Sequence, residues 1–439
     1  MARRYQPEGP CDVTTLGKPL RFSFCQRTAK NRFMKSAMAE SLGFWSASEP
    51  GSIGIPTDGY GNLYRRWGEN EWGVIVTGQI DIDTSLYHLG NVIIGREHHP
   101  TPGDLRFERF KQVASAATAH GSLLIGQLVH VGRQADARVS KETIAASAIQ
   151  LEPRLGMAFS KPREATKTDI TAAVESFAHA ASYLEQAGFS GVQLHAAHGF
   201  LMSSFLSRST NHRSDEYGGD LSNRMRLIVD VGRAIKAKVS SDFILGIKVN
   251  SVEFQEHGFT PSEARILCQT LESNHFDFVE LTGGTAELVD FEGKAESTEA
   301  REGFFLQFAK TITPVLNKTR CYTSGGFRTG PGMVSAISTV DGIGLARAAA
   351  QEPSLPKDLL SGTVTGVIRP ITPFVDNYHL SVALAGAQLG QIATNQHPLD
   401  SSDSERTQGV LRQLQTWTTT LVGDRPGFGW PKLEIESWD

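Results

Sequence analysis

Residues 191–219 read GVQLHAAHGFLMSSFLSRSTNHRSDEYGG, and the fold is decided in this stretch. Its first residues, Gly191 to Leu194, form a short apolar run after a loop, which is typical of a buried strand. The run ends in His195, and His198 follows three residues later. In parallel α/β proteins the functional residues lie just past the carboxyl ends of strands. The spacing therefore predicts two imidazole rings that can direct their N–H groups at one ligand atom.

On both sides of this strand, apolar strand patterns alternate with helical patterns. Seven further strands are predicted, at Arg32 to Met38, Gly73 to Gly78, Leu123 to Leu128, Phe243 to Asn250, Phe276 to Thr282, Arg320 to Ser324 and Val340 to Leu345. Each strand is followed by helical signal. Eight such units with right-handed crossovers favour a closed (β/α)8 TIM barrel over an open doubly wound sheet.

Start and stop signals place several of the helices. Thr168 is the predicted N-cap of a helix from Asp169 to Gln186. Pro261 behind Thr260 predicts a helix to about Ser273, because proline is favoured in the first helical turn. Another helical pattern covers Arg301 to Leu316.

The chain divides into three predicted segments. Residues 1–31 are a lead-in segment, residues 32–365 form the barrel, and residues 366–439 form a C-terminal extension that packs on it. Within the extension, Asp376 to Ile392 is a predicted helix, and Gly427 to Pro431 is a predicted loop that could cover either mouth of the barrel.

The composition argues against nucleic-acid and membrane partners. Charged residues make up 21% of the 439 residues and the net charge is −4, so there is no basic field. The four cysteines lack ligand spacing, which is typical of reduced thiols. The N-terminus has no apolar signal region, and no run approaches the ~18 residues of a membrane span. We therefore expect a cytoplasmic protein.

Two glycine-containing stretches predict an anion site. Tyr322 to Gly326 follows the seventh strand, and Gly342 to Arg347 follows the eighth. Glycines let backbone N–H groups approach an anion, and an arginine pairs with phosphate. The loops after these two strands form the usual phosphate site of a TIM barrel. One alternative is a dinucleotide-binding fingerprint starting at Gly342, but it would need glycine at position 347, where Arg347 stands. The other alternative is that these glycines only form tight turns.

The histidine segment resembles the Old Yellow Enzyme family of FMN-dependent ene-reductases. That family carries His-x-x-His or His-x-x-Asn followed by Gly-Tyr-Leu, and the later residues 211–213 and 215–219 also look like its loop. The resemblance covers most of the predicted barrel and implies the same fold. It also implies non-covalently bound FMN, with NADH or NADPH as the hydride donor.

The resemblance assigns further residues to the cofactor. Ala37 and Met38 look like the backbone that faces flavin N5, and Gly78 like the small residue that closes on the ring. Gln127 looks like the amide that contacts the pyrimidine edge, and Lys248 stands where many relatives have arginine. The two glycine-containing loops look like the FMN-phosphate site, with Gly325, Gly326, Gly344, Ala346 and Arg347.

Two positions depart from the family. Ala39 stands where relatives often have a threonine or cysteine that touches flavin O4, which implies a differently tuned flavin. Phe200 stands where the family has the tyrosine credited with protonating the substrate α-carbon, and phenylalanine has no exchangeable proton.

The resemblance implies reduction of the C=C bond of an α,β-unsaturated carbonyl compound. His195 and His198 would hold the carbonyl oxygen while hydride from NAD(P)H reaches the β-carbon by way of FMN. Because of Phe200, the alternative is the same site run oxidatively, with desaturation, aromatisation or isomerisation of a cyclic substrate. A flavin-binding protein without turnover and a metal-dependent hydrolase are two further readings. The partner is a small molecule, and monomer and homodimer are both compatible with the sequence.

Overall fold

Eight parallel strands form a closed barrel at the centre of the molecule. The structure, a computed structural model, describes residues 2–7, 9, 12–46, 48–86, 88, 90–153, 157–285, 287, 305–420 and 429–433. The barrel strands are β1 (Phe33–Lys35), β2 (Val74–Asp81), β3 (Leu123–Val129), β4 (Gly191–Ala196), β5 (Ile244–Asn250), β6 (Phe278–Thr282), β7 (Arg320–Ser324) and β8 (Gly342–Leu345). They pair in the order β1-β8-β7-β6-β5-β4-β3-β2, and β1 also pairs with β2. The predicted (β/α)8 TIM barrel is therefore confirmed.

The strands are near-continuous apolar runs because both of their faces are covered. Every residue of β3, β4 and β5 is buried. The predicted bounds of β7 are confirmed. The first strand is shorter than predicted, since the chain leaves the sheet after Lys35. The second is longer and runs through Gly78 to Asp81, with an irregularity between Val76 and Gln79.

Helices surround the barrel on its outer side. Those in the described residues are α1 (Asp58–Gly68), α2 (Leu105–Thr118), α3 (Lys167–Gln186), α4 (Leu201–Leu206), α5 (Leu221–Arg224), α6 (Arg226–Lys236), α7 (Pro261–Ser273), α8 (Leu306–Ile312), α9 (Gly330–Ala336), α10 (Arg347–Gln351), α11 (Leu355–Leu360), α12 (Thr372–Asp376), α13 (Tyr378–Ala393) and α14 (Ser404–Thr420). None of the described helices is long and apolar enough to cross a membrane.

The capping chemistry explains where two of these helices begin. Thr260 caps α7 in a reciprocal arrangement with Glu263, and the predicted bounds of that helix are confirmed. The predicted cap of α3 is wrong: Thr166, not Thr168, accepts from the backbone of Asp169, whose carboxylate accepts in return. The predicted helix at 301–316 is confirmed only over Leu306–Ile312, and residues 301–304 lie outside the described residues.

The amino-terminal end of the barrel is closed by a short hairpin. Leu20–Arg21 pairs antiparallel with Thr28–Ala29, and Leu20, Phe22 and Cys25 pack on side chains from the first residues of the strands. This end is filled with apolar groups. The histidines and the predicted anion site lie at the opposite end, where the strands finish.

The extension packs against the outer helices. Asn62 of α1 donates a hydrogen bond of 3.1 Å to the carbonyl of Ala393 at the end of α13. Near the chain's start, the Tyr5 amide donates to the Val367 carbonyl at 3.0 Å. These contacts hold the start of the extension against the chain's first residues and the end of α13 against α1.

Candidate active site

The two histidines meet at the carboxyl end of β4, as their spacing predicts. Their ring centroids are 5.3 Å apart and nearly perpendicular, at 75°. His198 has a φ of +57°, a left-handed conformation that is uncommon outside glycine and turns its ring back toward the barrel. Gln134 supports it by donating to the His198 carbonyl at 2.9 Å. His198 therefore lies in a constrained turn directly after β4, while His195 lies in the strand itself.

Both imidazoles are neutral at physiological pH. Burial lowers the pKa of His195 well below its ordinary value, and the nearby His198 and Lys248 lower it further. Burial and Lys248 likewise lower the pKa of His198 to about 3. The backbone amide of Ala197 donates to Nδ1 of His195 at 3.3 Å, so the neutral ring carries its proton on Nε2. His195 therefore presents an N–H donor.

Phe200 belongs to the same cluster. Its ring lies 4.5 Å from the His195 ring at 71°, in an edge-to-face arrangement. His88, from the loop after β2, packs on the other side of Phe200 at 5.6 Å, and burial lowers its pKa to about 4. Phe200 also precedes α4 as its N-cap. The position thus faces the histidines, with an apolar ring where a tyrosine would bring a hydroxyl.

A buried polar network crosses the barrel below the histidines. Gln127 donates to Gln193 at 2.7 Å, and Gln193 donates to the Glu280 carboxylate at 2.8 Å. Lys248 forms an ion pair with Glu280 at 3.1 Å. Burial alone would raise the pKa of Glu280, but Lys248 and the hydrogen bonds from Ser324 and Gln193 hold it below its usual value. The network therefore fixes Gln127 and Lys248, two residues that the resemblance assigns to the cofactor.

The network continues to β7, β8 and β1. Ser324 donates to Glu280, and its hydroxyl lies 2.7 Å from that of Ser36. A Cβ at Gly344 would overlap both serine hydroxyls, so only glycine leaves room for these two side chains beside β8. Ser36 is followed by Ala37 and Met38, which are half-buried at the mouth.

The prediction for Gly78 needs a correction. It lies inside β2 rather than after it, and a Cβ there would overlap the Met38 carbonyl and the Glu40 carboxylate. Its amide donates to Glu40 at 2.6 Å, and Tyr64 donates to the same carboxylate. Glycine is therefore required by the approach of protein groups. Burial raises the pKa of Glu40, against the opposing effect of Lys35.

The two glycine-containing loops meet at one cavity of about 220 Å³. Its lining includes all five residues predicted for a phosphate, Gly325, Gly326, Gly344, Ala346 and Arg347. Gly325 and Gly326 have φ values of +139° and +73°, which side chains rarely permit. Arg347 donates to the Ser381 hydroxyl and lies over the Tyr378 ring at 5.6 Å. The arginine is thus held at the cavity by α13.

Several residues of the site were not predicted from the sequence. Gln193 lies two residues before His195 and so points to the same side of β4, a signal that strand alternation could have supplied. Glu280 is a carboxylate inside an apolar strand, which also signals an inward-facing function. The contacts of Glu40 with Tyr64 leave no comparable local pattern.

The part of the chain that the structure describes contains no cluster of possible metal ligands. No group of three or more His, Cys, Asp or Glu side chains there could hold a metal ion. His198 instead has its Nε2 3.2 Å from the Thr282 hydroxyl, and its backbone amide donates to Asn250 at 3.4 Å.

Sequence comparison identifies the family. Residues 15–365 match the NADH:flavin oxidoreductase / NADH oxidase family. The NADH-dependent flavin oxidoreductase nadA of Aspergillus parasiticus is 43% identical over 423 residues, covering 94% of both chains. The NADH-dependent flavin oxidoreductase iccE of Talaromyces variabilis is 35% identical over 365 residues, covering 76% of this chain and 84% of the relative.

Solved structures share the fold. The Old Yellow Enzyme homologue from Zymomonas mobilis superimposes with a TM-score of 0.66 at 23% identity, covering 80% of this chain and 94% of that one. A 2-naphthoyl-CoA reductase in complex with 2-naphthoyl-CoA superimposes with a TM-score of 0.71 at 24% identity, covering 80% of this chain and 53% of that one.

The residues at the mouth fit FMN. Gly325 and Gly326 lie with Arg347 at the cavity between the two loops, where their backbone N–H groups and the guanidinium would hold a phosphate. Gln127 and Lys248 supply an amide and a cation at the far side of the barrel. The chain belongs to the NADH:flavin oxidoreductase / NADH oxidase family, and it is an FMN-dependent NAD(P)H:flavin oxidoreductase.

Proposed function

We propose that the protein reduces the C=C bond of an α,β-unsaturated carbonyl compound with hydride from NAD(P)H. The neutral histidine pair carries this proposal. His195 holds its proton on Nε2 because Nδ1 accepts from the Ala197 amide, and His198 stands 5.3 Å away, ring to ring. The N–H donor of His195, with the neutral ring of His198 beside it at the end of β4, suits a carbonyl oxygen.

The cofactor residues keep the roles that the resemblance implies. The backbone at Ala37 and Met38, the amide of Gln127 and the ammonium group of Lys248 would hold the flavin ring, and the loops after β7 and β8 would hold its phosphate. Bound FMN supplies the hydride chemistry between the nicotinamide and the substrate.

The chain's own contribution is to stabilise charge on the substrate oxygen. As hydride reaches the β-carbon, negative charge develops on the carbonyl oxygen between the two imidazoles. A preorganised donor at such an oxygen typically contributes ~2.7–4 kcal/mol. Phe200 keeps water away from His195 on one side, which strengthens these hydrogen bonds.

Substitution of the histidines tests this proposal. We expect His195→Ala and His198→Ala to slow reoxidation of the reduced protein by cyclohexenone by roughly 10²–10³-fold, the usual loss for one such donor. Reoxidation by O2 should change little, since it needs no carbonyl donor. Some slowing of the NADH step is also expected, because the nicotinamide would use the same pocket.

His212→Ala is the matched control. His212 lies in the segment that follows α4 and its side chain is exposed, so its removal should alter neither reaction. Stopped-flow absorbance of the flavin separates the two reactions. Wild-type rates with every enone in both histidine variants would show that the carbonyl is held elsewhere.

Phe200 favours a second candidate function, the same site run oxidatively. Its ring contacts His195 and His88, so the substrate side of the pocket gains no hydroxyl proton donor from this position. In desaturation or aromatisation of a cyclic substrate, such a donor would only assist the reverse reaction. Product analysis after incubation of the oxidised protein with saturated and unsaturated cyclic ketones distinguishes the two directions.

A further inference from the structure

His198 is held at three points by side chains from neighbouring elements. Its backbone amide donates to the Asn250 side chain at 3.4 Å, and its carbonyl accepts from Gln134 at 2.9 Å. Its ring nitrogen Nε2 lies 3.2 Å from the hydroxyl of Thr282, at the end of β6. These contacts fix both the left-handed backbone of His198 and the orientation of its ring.

Thr282 is itself a fixed residue. It pairs with Asn250 in the register of β5 and β6. Its carbonyl accepts from the amide of Ser251 at 2.6 Å and from the hydroxyl of Ser251 at 2.9 Å. The residue is buried, with 8% of its surface exposed. The Thr282 hydroxyl is therefore held beside Nε2 of His198.

The position of a single proton decides what the His198 ring can do. Burial and Lys248 lower the pKa of His198 to about 3, so the ring is neutral and carries one N–H. If Nε2 donated to Thr282, Nδ1 would present a lone pair, which repels a carbonyl oxygen. If Nε2 accepts from Thr282, the proton is on Nδ1, and Nδ1 is a donor.

The hydrogen-bond partners favour the second arrangement. In the part of the chain that the structure describes, Nε2 of His198 is the one partner of the Thr282 hydroxyl. A hydroxyl group is a donor as well as an acceptor, and a buried donor without an acceptor is costly. Donation from Thr282 to Nε2 avoids this cost. The proton on Nδ1 then remains available to a ligand.

We propose that Thr282 is a positioning residue, which holds the His198 proton on Nδ1 by donating its hydroxyl to Nε2. This inference rests on the proposed function, in which His198 faces the substrate carbonyl. His195 has the opposite tautomer, because the Ala197 amide donates to its Nδ1 and leaves its proton on Nε2. Each ring then presents one N–H, and a residue of β6 sets the donor of a histidine that follows β4.

Nitrogen NMR of the FMN-bound protein with isotope-labelled histidine tests the tautomer directly. Long-range proton–nitrogen correlations distinguish a protonated ring nitrogen from an unprotonated one, and His198→Asn identifies the His198 signals by their loss. We expect Nδ1 to be protonated in the wild type at neutral pH. Thr282→Val keeps the shape of the side chain without its hydroxyl, so it should move the proton largely to Nε2.

Two further variants separate this role from an effect on folding. Thr282→Ser keeps a hydroxyl and should keep the wild-type tautomer. Thr319→Val removes a different buried hydroxyl, which donates to the Phe276 carbonyl at 2.8 Å just before β7, and should leave the tautomer unchanged. In Thr282→Val we expect reoxidation of the reduced protein by cyclohexenone to slow by roughly 10²-fold, as for the loss of one donor. Reoxidation by O2 should change little.

The outcomes separate the inference from the proposed function. A wild type with its His198 proton on Nε2, or a Thr282→Val spectrum identical to that of the wild type, would overturn the inference. A wild type that holds the proton on Nδ1 and loses it in Thr282→Val, but reduces no enone, would overturn the proposed function alone. If Thr282→Val does not fold, Thr282→Ala removes the same hydroxyl and gives the same readings.

Discussion

At the scale of single residues, the proposed function gives Phe200 a testable effect on how a proton would reach the substrate. Its ring lies next to His195, at the position where the resemblance to the Old Yellow Enzyme family implies a tyrosine hydroxyl. Phe200→Tyr restores that hydroxyl. A positioned general acid contributes ~10²–10⁴-fold when proton transfer limits the rate. For an enone reductase we expect faster flavin reoxidation by simple enones and a sharper stereochemistry of α-protonation in D2O.

The same substitution has a different result if the native reaction is oxidative. Enone reduction should then stay poor, and desaturation of the native substrate should slow. Stopped-flow reoxidation of the wild type beside Phe200→Tyr gives the comparison. Identical rates and identical deuterium patterns would show that position 200 does not face the substrate.

The neutral histidines also predict how stability depends on pH. Burial and Lys248 lower the pKa of His198 from 6.5 to about 3, so the unfolded chain binds its proton before the folded one does. The stabilisation from this residue is present above pH 6.5 and is lost as the pH falls toward 3. His198→Asn keeps a polar side chain that does not titrate. Urea unfolding between pH 7 and 4 should therefore give a shallower loss of stability in the variant than in the wild type, and parallel curves would contradict the shift.

At the scale of the elements, the hydrogen bond between Ser36, after β1, and Ser324, in β7, depends on the small size of Gly344 in β8. A Cβ there would overlap the hydroxyl groups of Ser324 and Ser36. We expect Gly344→Ala to lower the free energy of unfolding by ~1–3 kcal/mol, as overpacking usually does, and to weaken FMN retention.

Gly390→Ala is the control, because the added methyl group meets nothing within 4 Å. In a helix such as α13 this change should raise stability by ~0.5–1 kcal/mol. Denaturant unfolding and flavin fluorescence measure both effects. Equal stabilities of the two variants would show that the contact at Gly344 relaxes at no cost.

How far the elements could be predicted depends on how local their signals are. The bounds of β7 and α7 follow from a short apolar run and from Thr260 with Pro261. The start of α3 was misplaced because two threonines compete, and the choice is made by the reciprocal bond between Thr166 and Asp169.

Contacts between residues far apart in the sequence could not be predicted from local patterns. Trp430 donates to the Ala39 carbonyl, which lies 391 residues earlier in the sequence. Local sequence patterns therefore indicated a loop near a mouth of the barrel, but they could not indicate which mouth. The Gln193–Glu280 bond likewise joins two strands that only the closed barrel brings together. The histidine pair was predictable because both residues lie in a span of four residues at the end of one strand.

At the scale of the whole molecule, the barrel separates apolar from polar chemistry. The hairpin at 20–29 fills the amino-terminal end with apolar side chains, and the polar network runs through the carboxyl half. The apolar end stabilises the fold, and we assign cofactor and substrate to the polar end. An FMN reduced by a nicotinamide and reoxidised by an enone is the central claim for that second end.

An anaerobic titration tests this claim most directly. The purified protein, reconstituted with FMN, is titrated with NADH and in parallel with NADPH, and cyclohexenone is then added while the visible absorption of the flavin is followed. We expect one nicotinamide to bleach the flavin stoichiometrically and the enone to restore the oxidised spectrum. A flavin that neither nicotinamide bleaches, or one that stays bleached with every enone and recovers only with O2, would contradict the account.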